Sequence, residues 1–208
     1  MAAGDSFKCF TATTYTGSFT NFLIPPLANN LLWDTSKLTV NGTLAVAAPV
    51  VITNQPQSAA VFAGASTSFS VGATGSPPLG YQWFLNGTNL PNAAALATLL
   101  LTNVPTSAAG NYTVVVTNSV SSATSAVAGL TVMIPPVLSN AVWLGNGTFQ
   151  FNLNGSFGQT YQVLSSTNLQ LPLSNWQVLT NGQFGNQPAT FTDFAATNGG
   201  EFYRIVSP

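Results

Sequence analysis

The sequence of 208 residues predicts an all-β protein, for two reasons. Short runs rich in Val, Thr, Phe and Tyr alternate with polar residues, as strands with one buried face do. Asn-Gly pairs, which tolerate the positive φ of tight hairpin turns, separate these runs at Asn41, Asn86, Asn146, Asn154, Asn181 and Asn198. The Ala-rich stretch 92–97 is too short for more than one helical turn. We therefore expect a tandem of small β-sandwich modules.

Composition excludes several classes of partner and cofactor. Hydrophobic residues make up 46% of the chain and charged residues 3%, with a net charge of −1. Three basic residues cannot form the patch that nucleic acid or anionic lipid requires. With four scattered acids and no His, we expect no metal site and no cofactor. Polar residues interrupt every apolar run before the roughly 20 residues that a membrane-spanning helix needs.

Prolines divide the chain into three predicted segments. Pro49 closes a first segment, and Pro135 with Pro136 separates a second from a third. Proline interrupts the hydrogen-bond ladder of a sheet, so it is favoured between strand-rich modules. The predicted division is an N-terminal β-rich segment at 1–48, a sandwich at 49–133 and a second sandwich at 134–208.

The central segment carries the most specific pattern. Predicted strands at 68–73, 81–85 and 111–116 place Trp83 twelve residues after Val71, and the last strand reads Gly110-Asn111-Tyr112-Thr113-Val114. This segment resembles a bacterial immunoglobulin-like domain, whose signature Gly-x-Tyr-x-Cys matches at 110–114. The resemblance implies a tyrosine corner at Tyr112 and a core around Trp83.

Two departures from that family affect stability. Val71 and Val114 stand where the family has its two disulfide-forming cysteines, so a link that typically contributes about 2–4 kcal/mol is absent. Ala108 replaces the Asp that usually begins the signature. We predict that Val71, Trp83, Tyr112 and Val114 form a disulfide-free core and bind no ligand.

The last segment alternates cleanly between apolar and polar residues. It contains the short motifs Ser-Ser-Thr-Asn-Leu at 165–169 and Phe-Tyr-Arg at 202–204, with Trp176 between them. Together they resemble a fibronectin-III-like module that ends many secreted bacterial proteins. Asp193, Glu201 and Arg204 are predicted to form a small ion cluster of structural importance only.

The first 48 residues contain four short motifs, at 4–7, 15–19, 32–38 and 41–44. Together these motifs resemble the C-terminal edge of an autotransporter-associated β-solenoid region. Such an edge cannot bury its apolar face alone. We predict that this face contacts the central module, a missing solenoid or another copy of the chain through six residues: Phe7, Phe10, Phe19, Phe22, Leu31 and Trp33.

The single cysteine, Cys9, excludes an internal disulfide and is expected to be a small buried residue; an intermolecular disulfide is the alternative.

Residues 1–17 lack the basic start and apolar core of a secretory signal, so we expect a mature form or a fragment of an exported protein. Without His, and with acids in separate end segments, we expect no enzyme activity.

The leading functional hypothesis is a secreted or cell-surface structural and adhesive protein that acts as a self-assembling filament or surface-fibre subunit. Its low charge and lysine-poor strands favour strand contacts between copies, with residues 1–48 as donor. The alternative is a spacer or carbohydrate-binding module of a larger secreted protein, with Trp143 or Trp176 stacking on surface glycans.

Overall fold

The computed structural model describes residues 1–19, 21–90, 95–196 and 200–207. Strands dominate these residues, which confirms the all-β prediction and fits tandem β-sandwiches. The chain forms two compact units: Met1–Ala59, Ser66–Thr102 and Ala109–Thr131 in the first, and Ala60–Ala65, Asn103–Ala108 and Val132–Pro208 in the second. The three-part division remains a prediction.

The N-terminal segment forms a small antiparallel sheet with one short helix. Strand β3 is central and pairs with β1 and β2 on either side. Gly42 ends the helix at φ 71°, in the left-handed region that favours glycine. The elements are β1 (Ser6–Lys8), β2 (Leu32–Asp34), α1 (Leu38–Asn41) and β3 (Thr43–Ala47).

The central segment contains ten strands and a 3₁₀ turn at Thr106–Ala108 within its described residues. Their bounds are β4 (Val51–Asn54), β5 (Ala59–Phe62), β6 (Thr67–Ser70), β7 (Gly72–Thr74), β8 (Gly80–Leu85), β9 (Thr88–Asn89), β10 (Thr98–Leu101), β11 (Gly110–Thr117), β12 (Ser122–Thr124) and β13 (Ala128–Met133). Strand β11 pairs with β8, β12 and β13, and β9 pairs with β8. Strand β6 pairs with β10, and β4 pairs with β7.

The strand predicted at 68–73 is interrupted. Its first half, β6, pairs with β10, whereas its second half, β7, pairs with β4. Val71 lies at the change of partner, and its N–H donates to the carbonyl of Ala97 at 2.9 Å. Phe69 and Val71 are buried, and Ala73 is only partly buried.

Some of the Asn-Gly pairs form hairpin turns and others do not. Asn86-Gly87 and Asn146-Gly147 have the paired positive φ values of such turns. Asn181-Gly182 instead lies inside a strand, where a Cβ on Gly182 would approach the Tyr161 hydroxyl oxygen to 2.7 Å. The glycine therefore makes room for a ring, which overturns the prediction of a turn at this pair. Asn198 lies outside the described residues.

The C-terminal segment forms two antiparallel three-stranded sheets and a 3₁₀ turn at Leu173–Asn175. One sheet has the order β14-β15-β18 and the other β17-β16-β19. Both sheets contribute to one core around Phe151, Leu153, Val163 and Phe184. The strands are β14 (Val137–Gly145), β15 (Thr148–Asn154), β16 (Thr160–Ser166), β17 (Gln177–Gln183), β18 (Ala189–Asp193) and β19 (Phe202–Val206).

None of the helices that the structure describes has the length and apolar character needed to cross a membrane.

Candidate functional site

The four predicted core residues of the central segment are buried. Trp83 and Val114 are fully inaccessible to solvent and face each other as a cross-strand pair of β8 and β11. The Trp83 indole N–H donates to the Leu96 carbonyl at 3.1 Å, which satisfies the polar atom of this buried ring. Tyr112 stacks on Phe69 with ring centroids 4.8 Å apart, and Val71 is also buried.

The six predicted contact residues of the N-terminal segment are divided between partly buried and exposed positions. Phe10, Leu31 and Trp33 are partly buried, and Phe7 is 39% exposed. Phe19 and Phe22 are 48% and 44% exposed. Adjacent Leu23 is fully exposed, a feature that sequence reasoning missed because no strand alternation marks it.

The N-terminal segment buries part of its apolar surface by itself. Phe7 packs edge-on against Trp33 at 5.9 Å, and Phe10 contacts Phe19 at 5.7 Å. Leu44 and Val46 of β3 are buried. The rings of this segment therefore bury part of their surface on one another, while Phe7, Phe19 and Phe22 remain exposed.

The same segment also contacts the immunoglobulin-like module within the first unit. The Ala48 N–H donates to the Ser76 hydroxyl at 2.9 Å, and the Asp34 carboxylate accepts from the Ser119 hydroxyl. Burial raises the pKa of Asp34, but hydrogen bonds from Ser119 and Ser36 and the charge of Lys37 outweigh it, so the pKa lies below its ordinary value. The carboxylate thus joins β2 to the β11–β12 turn.

Replacing Asp34 with Asn is expected to lower the free energy of unfolding at neutral pH. The folded-state pKa lies below 3.8, so the ionised form stabilises the fold above that pH, and its contribution disappears as pH falls through the folded-state pKa. Denaturant unfolding should show a difference between wild type and Asp34→Asn at about pH 7 that vanishes well below pH 4. Ser119→Ala should reproduce part of the loss. A difference independent of pH would contradict this role.

Cys9 is exposed, not buried as expected, because it lies just after the solvent-facing edge strand β1. Its Sγ is 3.6 Å from the Phe7 carbonyl oxygen.

A cavity of about 510 Å³ lies within the first unit, between the N-terminal segment and residues 49–77. Neutral groups line it, among them Asn29, Asn30 and Ser76, so it offers neither a charged residue nor an acid–base pair.

The two tryptophans considered for sugar stacking differ in accessibility. Trp176 is buried, and its indole N–H donates to the Leu171 carbonyl at 3.1 Å, so its face is not available to a sugar. Trp143 in the edge strand β14 is 46% exposed. Only Trp143 of this pair can therefore stack on a ligand.

Asp193 and Glu201 converge on one phenol rather than forming an ion cluster with Arg204. The Tyr203 hydroxyl lies 2.8 Å from Asp193 Oδ2 and 3.3 Å from Glu201 Oε2, while Arg204 is exposed. Burial raises the pKa of Tyr203, and the hydrogen bond and charge of Asp193 with the charge of Glu201 raise it further. The sequence indicated this contact only through the closeness of Asp193 and Glu201 to residues 202–204 along the chain.

Across the described residues, no group of three or more His, Cys, Asp or Glu side chains could hold a metal ion.

Comparisons with known proteins support the fold of the central segment. Residues 49–118 match the family model described as immunoglobulin domain. No curated protein matches the chain. An I-band fragment of titin is similar at 16% identity over 88% of this chain and 83% of that chain, with a TM-score of 0.51.

Two further solved structures are similar over smaller shares. Immunoglobulin domains of Sidekick-1 share 21% identity over 77% of this chain and 48% of that chain, with a TM-score of 0.49. A chimeric titin shares 28% identity over 42% of this chain and 98% of that chain, with a TM-score of 0.39. The family model and the shared fold together show that this chain contains an immunoglobulin-like domain.

Proposed function

We propose that this chain is a non-catalytic, secreted or cell-surface structural and adhesive protein whose copies associate through β-strand contacts. The observation that carries the proposal is the exposed apolar cluster of Phe19, Phe22 and Leu23, here called the N-terminal patch. Single exposed apolar residues are common, but a contiguous exposed apolar patch marks an interaction site.

The surface that would receive this patch is the edge strand β14. It occupies one end of the sheet order β14-β15-β18, so among the described residues one side of its backbone has no strand neighbour in that sheet. Its nine residues include no charged side chain, and Val137, Val142 and Leu144 are each more than 40% exposed. Long uncharged edges lack the lysines that oppose strand addition.

Charge gives further support for association. With a net charge of −1 over 208 residues, copies of this chain repel one another only weakly. The resemblance to bacterial immunoglobulin-like, solenoid-edge and fibronectin-III-like segments suggests an extracellular setting, in which such modules are joined in tandem. Catalysis is not proposed, because the chain has no His and Asp193 is already engaged by Ala195 and Tyr203.

Light scattering of the full chain over a wide concentration range, with negative-stain microscopy, tests the proposal. We expect wild-type mass to rise with concentration and the triple variant Phe19→Ser, Phe22→Ser, Leu23→Ser to remain monomeric. Val137→Lys should also reduce association, because a lysine on β14 opposes pairing. Point variants are preferable to deletion of residues 1–48, which would remove the buried Leu44 and Val46.

The matched control places serine at three exposed apolar residues elsewhere, Leu100, Phe157 and Leu169. It should associate as the wild type does. A monomeric wild type at high concentration would refute the proposal, as would equal behaviour of the patch and control variants.

The alternative function is a spacer or carbohydrate-binding module. The exposure of Trp143 favours it, but a single accessible ring would have to supply the stacking. Binding of neutral oligosaccharides that disappears in Trp143→Ala would support this alternative.

A further inference from the structure

The open end of the C-terminal sandwich contains a row of residues aligned across one sheet. Trp143 on β14 pairs with Phe149 on β15, and Phe149 pairs with Asp193 on β18. Directly paired residues of antiparallel strands project from the same face of the sheet, so these three side chains lie side by side. Tyr203 from β19 of the other sheet reaches Asp193 through its hydroxyl.

The three aromatic residues of this group, Trp143, Phe149 and Tyr203, form the walls of a cavity. Trp143, Phe149, Ala196, Glu201 and Tyr203 line it. Phe149 and Tyr203 are stacked at 5.3 Å, and Trp143 lies 6.4 Å from Phe149. The inner rings are held by the core, whereas Trp143 remains open to solvent on one side. A ligand entering from that side would contact the half-exposed Trp143 ring and those parts of the stacked Phe149 and Tyr203 rings that line the cavity.

The charge at this cavity is negative. Asp193 is oriented by the Ala195 N–H at 2.9 Å and by the Tyr203 hydroxyl at 2.8 Å, and Glu201 reaches the same hydroxyl. The neutral hydroxyl donates a hydrogen bond and carries no positive charge, so it leaves the negative charge of both carboxylates in place. Arg204 follows Tyr203 in β19, and because side chains alternate along a strand it projects to the opposite face. Glu201 thus brings negative charge to the cavity wall, and Asp193 lies behind that wall as the acceptor of the Tyr203 hydroxyl.

The volume restricts the size of the ligand. The cavity measures about 200 Å³, below the roughly 300–1,000 Å³ of pockets that enclose drug-sized ligands. It therefore fits one compact head group and not a stretch of oligosaccharide.

We propose that this cavity binds an organic ammonium group, such as a quaternary or methylated amine. The aromatic rings attract the cation, Glu201 supplies the opposite charge at the cavity wall, and Asp193 adds a second negative charge behind Tyr203. Binding of the cation does not require the association of copies, since all the residues that line the cavity belong to the second unit of one chain.

Titration calorimetry of the full chain with choline chloride tests the proposal. The matched probe is the uncharged carbon isostere of choline, in which a quaternary carbon replaces the nitrogen. We expect choline to bind, and we expect the dissociation constant of the isostere to be at least about ten times larger. The isostere lacks the positive charge that the rings and the carboxylates attract. Added salt should weaken choline binding through screening of a half-exposed site.

Three variants complete the test. Trp143→Ala should weaken choline binding about tenfold, and Glu201→Gln should weaken it with little change in shape. Phe157→Ala, which removes an exposed ring elsewhere in the same unit, should leave binding unchanged. Thermal unfolding of each variant separates lost binding from lost folding.

Three results would overturn the proposal: no binding of choline, equal binding of its uncharged isostere, or binding of neutral oligosaccharides in its place. The last result would favour the carbohydrate-binding alternative. Choline binding by a strictly monomeric protein would uphold this inference while refuting association.

Discussion

Replacing Trp83 with Ala is expected to destabilise the immunoglobulin-like domain by about 3–5 kcal/mol. The side chain is completely buried, pairs with Val114 and lies 6.4 Å from the Phe69 ring. Its removal leaves a cavity that neighbouring strands cannot fill and leaves the Leu96 carbonyl without its donor. A loss of this size is a large share of the 5–15 kcal/mol that stabilises typical domains.

Denaturant unfolding followed by hydrogen exchange in β8 and β11 would measure this loss and assign it to the domain. Trp143→Ala is the matched control, because it removes the same side chain from a half-exposed position. The control should lower the stability clearly less, because about half of the Trp143 surface is already exposed to solvent. Equal effects of the two substitutions would show that Trp83 does not hold the domain together.

The second large effect is expected in the C-terminal sandwich, where Phe151→Ala should also cost about 3–5 kcal/mol. Phe151 is 1% exposed and contacts Phe191 at 5.3 Å and Tyr203 at 5.2 Å, so it joins residues of both sheets. Phe157→Ala is the matched control, since that ring is 74% exposed in the same segment.

Hydrogen exchange of the amides in β15 and β16 would measure the effect on the sandwich directly. We expect Phe151→Ala to lower protection in both strands and Phe157→Ala to leave it unchanged. If Phe151→Ala reduced protection in β15 alone, the two sheets would not share one cooperative core.

The candidate sites were less predictable than the fold. The pattern around Trp83 and Tyr112 anticipated a buried core, because strand alternation and close spacing are local properties of the chain. The exposure of Cys9 could not be anticipated, because it depends on β1 being an exposed edge strand of its sheet, and no strand alternation marks Leu23. The convergence of Asp193 and Glu201 on Tyr203 depends on the register between strands.

The sequence by itself determined that this protein is all-β and contains an immunoglobulin-like domain without a disulfide. Alternation places side chains on one face of a strand whatever its neighbours are, so these features can be read locally. Only the tertiary structure decided that the strand at 68–73 changes partner at Val71. It also placed Trp143 beside Phe149 and Asp193 at the open end of the sandwich. Both outcomes follow from pairing between strands distant in sequence, which local patterns do not specify.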